Sequence, residues 1–263
     1  MKSNKFSLRV CFNRTSLLSL FIVAFVAGFL LAPPLSGDLS ATHRIVINSS
    51  HSPPYSTPQR DGYFDLLLIE AFGRLGYLVQ INNLPAMRSL ADAANGVADG
   101  EIGRELGLDH EFHTLKPVPE PALERREFVA FSRNVKIETK DWSDLEPYHV
   151  AYVEGLQLFA NNTKDARSVT ALRSTDILFR FLDMDRCDIA LSARLDGMTT
   201  LRKLGIKDVH VLEPPLEATP MYLYLHDNRK NLVMPLARIL REMKEDGTID
   251  FIKSQVVEKY IGI

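Results

Sequence analysis

HRIVINSSHSPPYSTPQRDGYFDLLLIEAFGRLGYLVQI, residues 43–81, reads as one strand–helix–strand unit. Residues 43–48 form a short β-rich run, and a turn through Pro53, Pro54, Tyr55 and Asp61-Gly62 follows. Phe64, Leu67, Leu68, Ala71, Phe72 and Leu75 then recur at helical spacing, so they share one buried face. Gly76 stops that helix, and residues 77–81 supply the second strand. Strand, helix and strand in that order predict a parallel pair with the helix crossing over it, the building block of α/β folds.

Similar alternation continues outward. Residues 87–94 read as a shorter helix ending at Asn95-Gly96, and residues 98–102 as a third strand. Pro117, Pro119 and Pro121 hold the next segment extended, because each proline pushes its predecessor out of the helical region. Residues 128–132 read as a strand. A second series follows Trp142, with strands at 150–153, 169–172, 187–191 and 209–212. Its helices begin near Gly155, after a Ser174 cap, and at Leu195. Ile177, Leu178, Phe181 and Leu182 are expected on the buried face of the Ser174-capped helix. Residues 221–225 are strongly β. One long final helix is expected to turn Leu232, Leu236, Ile239, Leu240 and Met243 inward. Arg238 with Glu242, and Arg241 with Glu245, would pair on its wet face. In each half a helix ends in a tight turn feeding a strand that opens on an aspartate, Asp99 and then Asp188, as two similarly wired lobes would require.

The N-terminus sets an address. Lys2, Lys5, Arg9 and Arg14 precede an apolar run over residues 17–32, the pattern of a secretory signal, or alternatively of an uncleaved anchor. Cleavage near residue 37 moves the net charge from −2 to −6, with 27 Lys+Arg against 33 Asp+Glu. Such a chain has no electrostatic footprint for nucleic acid. Cys187 alone then remains, so no intramolecular disulfide is expected, and its simplest place is a buried strand.

Several motifs, in order, carry a family resemblance. They are the Pro-Pro-Tyr turn, Asp61-Gly62 before a helix, Leu75-Gly76-Tyr77, Leu84-Pro85 with Arg88, and Gly96-Val97-Ala98-Asp99-Gly100. Arg125 six residues before Phe131-Ser132, VAYVEG at 150–155, Arg186-Cys187-Asp188-Ile189-Ala190 and Lys244-Glu245-Asp246-Gly247-Thr248 complete the set. Together they resemble the family 3 extracellular solute-binding proteins, the polar amino-acid-binding group, over about residues 43–252. The resemblance implies a two-lobed α/β type II periplasmic binding protein fold with two hinge strands, at 128–134 and 221–227. The implied organisation is a signal peptide or anchor at 1–37, lobe 1 at 42–132 plus 226–263, and lobe 2 at 133–225.

Ligands of open α/β sheets sit beyond the carboxyl ends of the strands. That rule selects Tyr55, Arg104, Glu154, Gly155 and Ser192 as candidates. Tyr55 either stacks on a ligand or packs its own turn. Arg104, among Gly100, Gly103 and Gly107, either contacts the ligand or pairs with Glu101 or Glu105. Arg88 faces the cleft or the surface. The resemblance makes Arg125 a carboxylate grip, since a guanidinium fork suits that group; its charged neighbours equally fit a solvated loop. Glu154-Gly155 would open a helix whose amides face the ligand. The resemblance also expects an aspartate for a ligand's α-ammonium where this chain has Ala193.

The sequence contains no nucleophile elbow, P-loop or dinucleotide fingerprint, and His110 and His113 lack the i,i+4 spacing of a helical metal pair. No cofactor is expected. The expected function is capture of a small polar, carboxylate-bearing solute in the periplasm by a monomer that serves a membrane permease. Two alternatives stay open: a ligand-sensing module for a signalling partner, and a lyase of the same fold with Glu101 or Glu154 as acid.

Overall fold

β1 (His43–Ser49), α1 (Tyr63–Arg74) and β2 (Tyr77–Asn83) form the expected unit in the computed structural model, which describes residues 43–155 and 157–262. The strands pair in parallel from His43–Tyr77 to Ser49–Asn83. Phe64, Leu67, Leu68, Ala71 and Phe72 of α1 are buried against them. Burying each of the larger of these side chains contributes about 1.5–3 kcal/mol, which is what holds the helix to the sheet. The expected signal or anchor at 1–37 lies outside the described residues.

From β2 the chain returns through α2 (Ala86–Ala94) to β3 (Gly100–Arg104), which lies parallel to β1 on its other side. A short α3 (Leu108–Glu111) and β4 (Leu115–Pro117) complete this part of the first lobe. The second lobe repeats the wiring. β6 (His149–Val153), α4 (Gln157–Asn162), β7 (Ser168–Leu172), α5 (Thr175–Asp183) and β8 (Ile189–Ala193) place β6 between parallel β7 and β8. The two aspartates of the sequence echo do the same job in each lobe. Asp99 accepts the Val46 amide and Asp188 the His149 amide, both at 2.8 Å. Each is also bound by an arginine at 2.7 Å, Arg229 and Arg167 respectively.

Two long strands join the lobes, β5 (Leu123–Ser132) and β9 (His210–His226), running antiparallel to each other. The full order is β2-β1-β3-β9-β5-β8-β6-β7, with β4 pairing β9. Residues 209–212 and 221–225, read from sequence as two strands, belong to this single β9. Pro214 and Pro215 do not end it, because the ladder jumps from Phe128–Glu217 to Ala130–Leu212 and leaves the prolines in the bulge between. Phe128 to Phe131, expected with the first lobe, pair with β8. Tyr222 to Leu225, expected with the second, pair with β3.

α6 (Arg194–Leu204) follows β8 directly and touches both lobes. Its Leu195 packs on the first-lobe core, its Leu201 on the second. The expected single final helix is two, α7 (Val233–Glu245) and α8 (Thr248–Tyr260), separated by Gly247 at φ +81°. A left-handed residue ends a helix, and glycine adopts it without a Cβ penalty. Leu232, Leu236, Ile239, Leu240 and Met243 are buried as expected. Arg238 pairs with Glu242, whereas Arg241 reaches Glu120 instead of Glu245. Ser174 caps α5 by accepting the Ile177 amide at 3.3 Å. Its buried face is Leu178, Phe179 and Leu182, with Ile177 exposed.

Candidate functional site

β1 and β3 of the first lobe are parallel to each other, and the strand pairings make β6 of the second run in the opposite sense, so the loops beyond their carboxyl ends approach one gap from its two sides. Two hollows open in that gap and share Glu105 and Arg126 on their walls, so they form one cleft. The first-lobe half, about 570 Å³, is bounded by Ser50, His51, Gly103, Arg104 and Met221. The second-lobe half, about 520 Å³, is bounded by Phe128, Gly155, Gln157, Phe159, Glu217 and Thr219. Side chains alternate along a strand, so Arg126 and Phe128 of β5 point to one face. Glu217 and Thr219 are their cross-strand partners on β9.

Arg126 is the centre of this arrangement. Its guanidinium lies 5.3 Å from the Tyr55 ring centroid and 5.5 Å from that of Phe128, and donates to Asp196 of α6 at 3.1 Å. The pair is largely withdrawn from water, at 17% and 15% side-chain exposure. Burial raises the Asp196 carboxyl above its ordinary range, and the Arg126 charge opposes that rise. Arg126 Nε is buried and has no hydrogen-bond partner among the described residues, so the guanidinium keeps a free donor there.

His51 closes the first-lobe wall. Its Nε2 donates to the Gly103 carbonyl at 2.9 Å, which leaves Nδ1 as the acceptor. Burial pushes its pKa down to about 3, and the nearby Arg126 and Arg104 charges push the same way. Gly103 is at φ +83°, and a Cβ there would overlap the His51 and Phe64 rings, so glycine is required.

The residues singled out from sequence divide among several places. Arg104 lines the cleft, yet its guanidinium is held by Glu101 and by the Ala86 carbonyl at 3.1 Å. Glu101 is fully buried; its Oε1 accepts from Ser89 Oγ at 3.0 Å and from the Arg104 guanidinium, and Oε2 has no partner among the described residues. Burial raises its carboxyl, with Arg104 acting against that. Tyr55, 2% exposed, stacks on Phe64 beneath Arg126. Gly155 lines the second half at φ +89°, while Glu154 is exposed beside it. Ser192 is buried in β8 opposite Val129. Arg88 is 72% exposed and near Asp92 at 3.7 Å.

Arg125 departs from its expected place. It is 65% exposed, 3.6 Å from Glu127, and lines a separate hollow with Lys244 and Lys253. The cleft arginine is its neighbour Arg126. The sequence held a signal for this: had the strand at 128–132 been extended back, period-two alternation would have placed Arg126, and not Arg125, on the face of Phe128. His51 and Glu217 were not singled out either, and Glu105 only as a partner for Arg104, because they meet the cleft only through tertiary contacts. Among the described residues, no group of three or more His, Cys, Asp or Glu side chains is arranged to hold a metal ion.

No family model matches the chain. An uncharacterised protein of Shewanella oneidensis is 26% identical over 211 residues, 76% of this chain and 79% of that protein. Among solved structures, the probable amino-acid ABC transporter extracellular-binding protein ytmK of Bacillus subtilis matches with a TM-score of 0.68 at 15% identity, covering 84% of this chain and 98% of that one. A histidine kinase sensor domain with similarity to periplasmic binding proteins matches at 0.66 and 16% identity, covering 84% and 97%. The GluR0 ligand-binding core of Nostoc punctiforme, in complex with L-glutamate, matches at 0.64 and 14% identity, covering 83% and 100%. These likenesses show the fold, a two-lobed type II periplasmic binding protein architecture.

Proposed function

We propose that the protein is an exported, family 3-like solute-binding protein that takes up a small polar, carboxylate-bearing ligand between its lobes and presents it to a membrane permease. The carrying observation is Arg126, at the waist of the cleft, with a donor that no group among the described residues satisfies. A ligand carboxylate arriving there satisfies that donor in a largely water-free setting, where charge-assisted hydrogen bonds are strongest. Tyr55 and Phe128 both lie against the guanidinium and so act as positioning residues. β5 and β9 are the two connections about which the lobes would close.

The test combines a thermal-shift panel of carboxylates and uncharged analogues with calorimetry on the hits. A carboxylate should bind, and Arg126→Met should weaken it at least tenfold, since losing one partner of a buried charged contact costs about 2–5 kcal/mol. Equal affinity in that variant rejects the reading. Small-angle scattering should show a smaller radius of gyration with the same carboxylate bound. Fractionation followed by mass spectrometry of the N-terminus tests export, and a cytoplasmic protein beginning at Met1 rejects it. The histidine kinase sensor likeness keeps the sensory alternative alive, and the identity of the co-purifying membrane protein decides between permease and kinase.

A further inference from the structure

The charge on the cleft wall does not balance. Arg104 and Arg126 line it, but each already has a carboxylate of its own, Glu101 and Asp196, set away from the lining. Three further acids, Glu105, Glu111 and Glu217, line the same cleft, and among the described residues none has an ion-pair partner. His51 is neutral and adds nothing. A ligand carrying only negative charge would meet a wall with a surplus of negative charge.

We infer that the ligand is a zwitterion whose positive group is distant from its carboxylate and is held by Glu217, an ω-amino or ω-guanidino acid without an α-ammonium. This rests on the carboxylate reading above. Arg126 pairs with Thr219 and Phe128 with Glu217 across β5 and β9, with no register shift between those two pairs. Arg126 and Glu217 are therefore diagonal neighbours on one face, with backbones about 7–8 Å apart, near enough for their head groups to hold opposite ends of one short ω-amino acid. They are not bonded to each other, because Asp196 draws the guanidinium to α6. The start of α6 supplies no free side-chain acceptor for an α-ammonium. Ala193 has none, and Asp196 is engaged by Arg126 and lies off the lining of both halves. Phe128 and Phe159 wall the second half and suit the methylene spacer, with their buried rings meeting edge to face.

Five-carbon probes separate the terms: δ-aminovalerate carries the carboxylate and the distal ammonium, glutarate two carboxylates, cadaverine two ammoniums, and L-norvaline the carboxylate with an α-ammonium and no distal one. Calorimetry, with shorter and longer ω-amino acids beside them, should find an ω-amino acid bound at least tenfold tighter than glutarate, cadaverine and L-norvaline. Glu217→Gln, an exposed position whose substitution leaves the core untouched, should weaken that probe roughly tenfold and leave glutarate no worse. Glutarate as the tightest probe keeps the carboxylate reading and overturns this inference. Cadaverine binding that ignores Arg126→Met overturns both. L-Norvaline equal to the ω-amino series, an unaffected Glu217→Gln, or silence across the series at millimolar concentration overturns the inference alone.

Discussion

Protonation of His51 should weaken the empty protein in mild acid, by an amount the cleft geometry sets. The imidazole has a pKa pushed down to about 3 from 6.5 by burial first, with Arg126 and Arg104 adding to it. In the unfolded chain the ring takes up its proton near its ordinary value, so between about pH 6.5 and about pH 3 the unfolded state binds more protons. The contribution is whole above about pH 6.5 and is lost as pH falls, at about 1.4 kcal/mol per unit. A drop from about pH 7 to about pH 5 therefore costs roughly 2 kcal/mol through this one group. Asp61, whose carboxyl is held down at about 2, adds a further loss only below its ordinary range. Glu101 and Asp196, raised by burial, act oppositely and favour the folded state as pH falls from their raised range towards their ordinary one. The difference between two proteins isolates the histidine. His51→Gln keeps a donor for the Gly103 carbonyl and removes the titration. Urea unfolding of both proteins across this range should give curves that converge by about 2 kcal/mol towards about pH 5. Parallel curves would show that the ring is not held neutral and would refute the reasoning.

Three further outcomes follow from the packing around the cleft. Asp196→Asn leaves Arg126 buried without its countercharge and should lower stability by about 3–5 kcal/mol, while adding Arg126→Met should recover much of that; denaturant midpoints of the single and double variants decide it. Tyr55→Leu keeps an apolar side chain beneath Arg126 but removes the ring face, and should weaken carboxylate binding several-fold, equivalent to about 0.5–2 kcal/mol, as read by calorimetry. Gly197→Ala puts a methyl into the Phe131 and Phe179 rings, which already meet edge to face at 5.0 Å, and should lower stability by about 1–3 kcal/mol in thermal or urea unfolding.

What the sequence alone determined is local and periodic. The helical spacing of Phe64 to Phe72, the stop at Gly76 and the alternation of β and α segments specify α/β units, because a buried face must recur at the period of its own element. The paired aspartates at 99 and 188 were legible as a repeated device, and both tie down a central strand. Residues 209–212 and 221–225 read as two strands but form one, since the bulge in β9 lets the ladder pass Pro214 and Pro215. Tertiary structure alone decided the site. Whether Arg125 or Arg126 enters the cleft depends on the register of β5 against β9. Whether an arginine is free for a ligand depends on which carboxylate lies behind it. Asp196 is 70 residues along the chain from Arg126, and Glu217 faces the same cleft from another strand. Charges separated so far along the chain meet only when the lobes are built, and their balance is a property of the cleft and of no single motif.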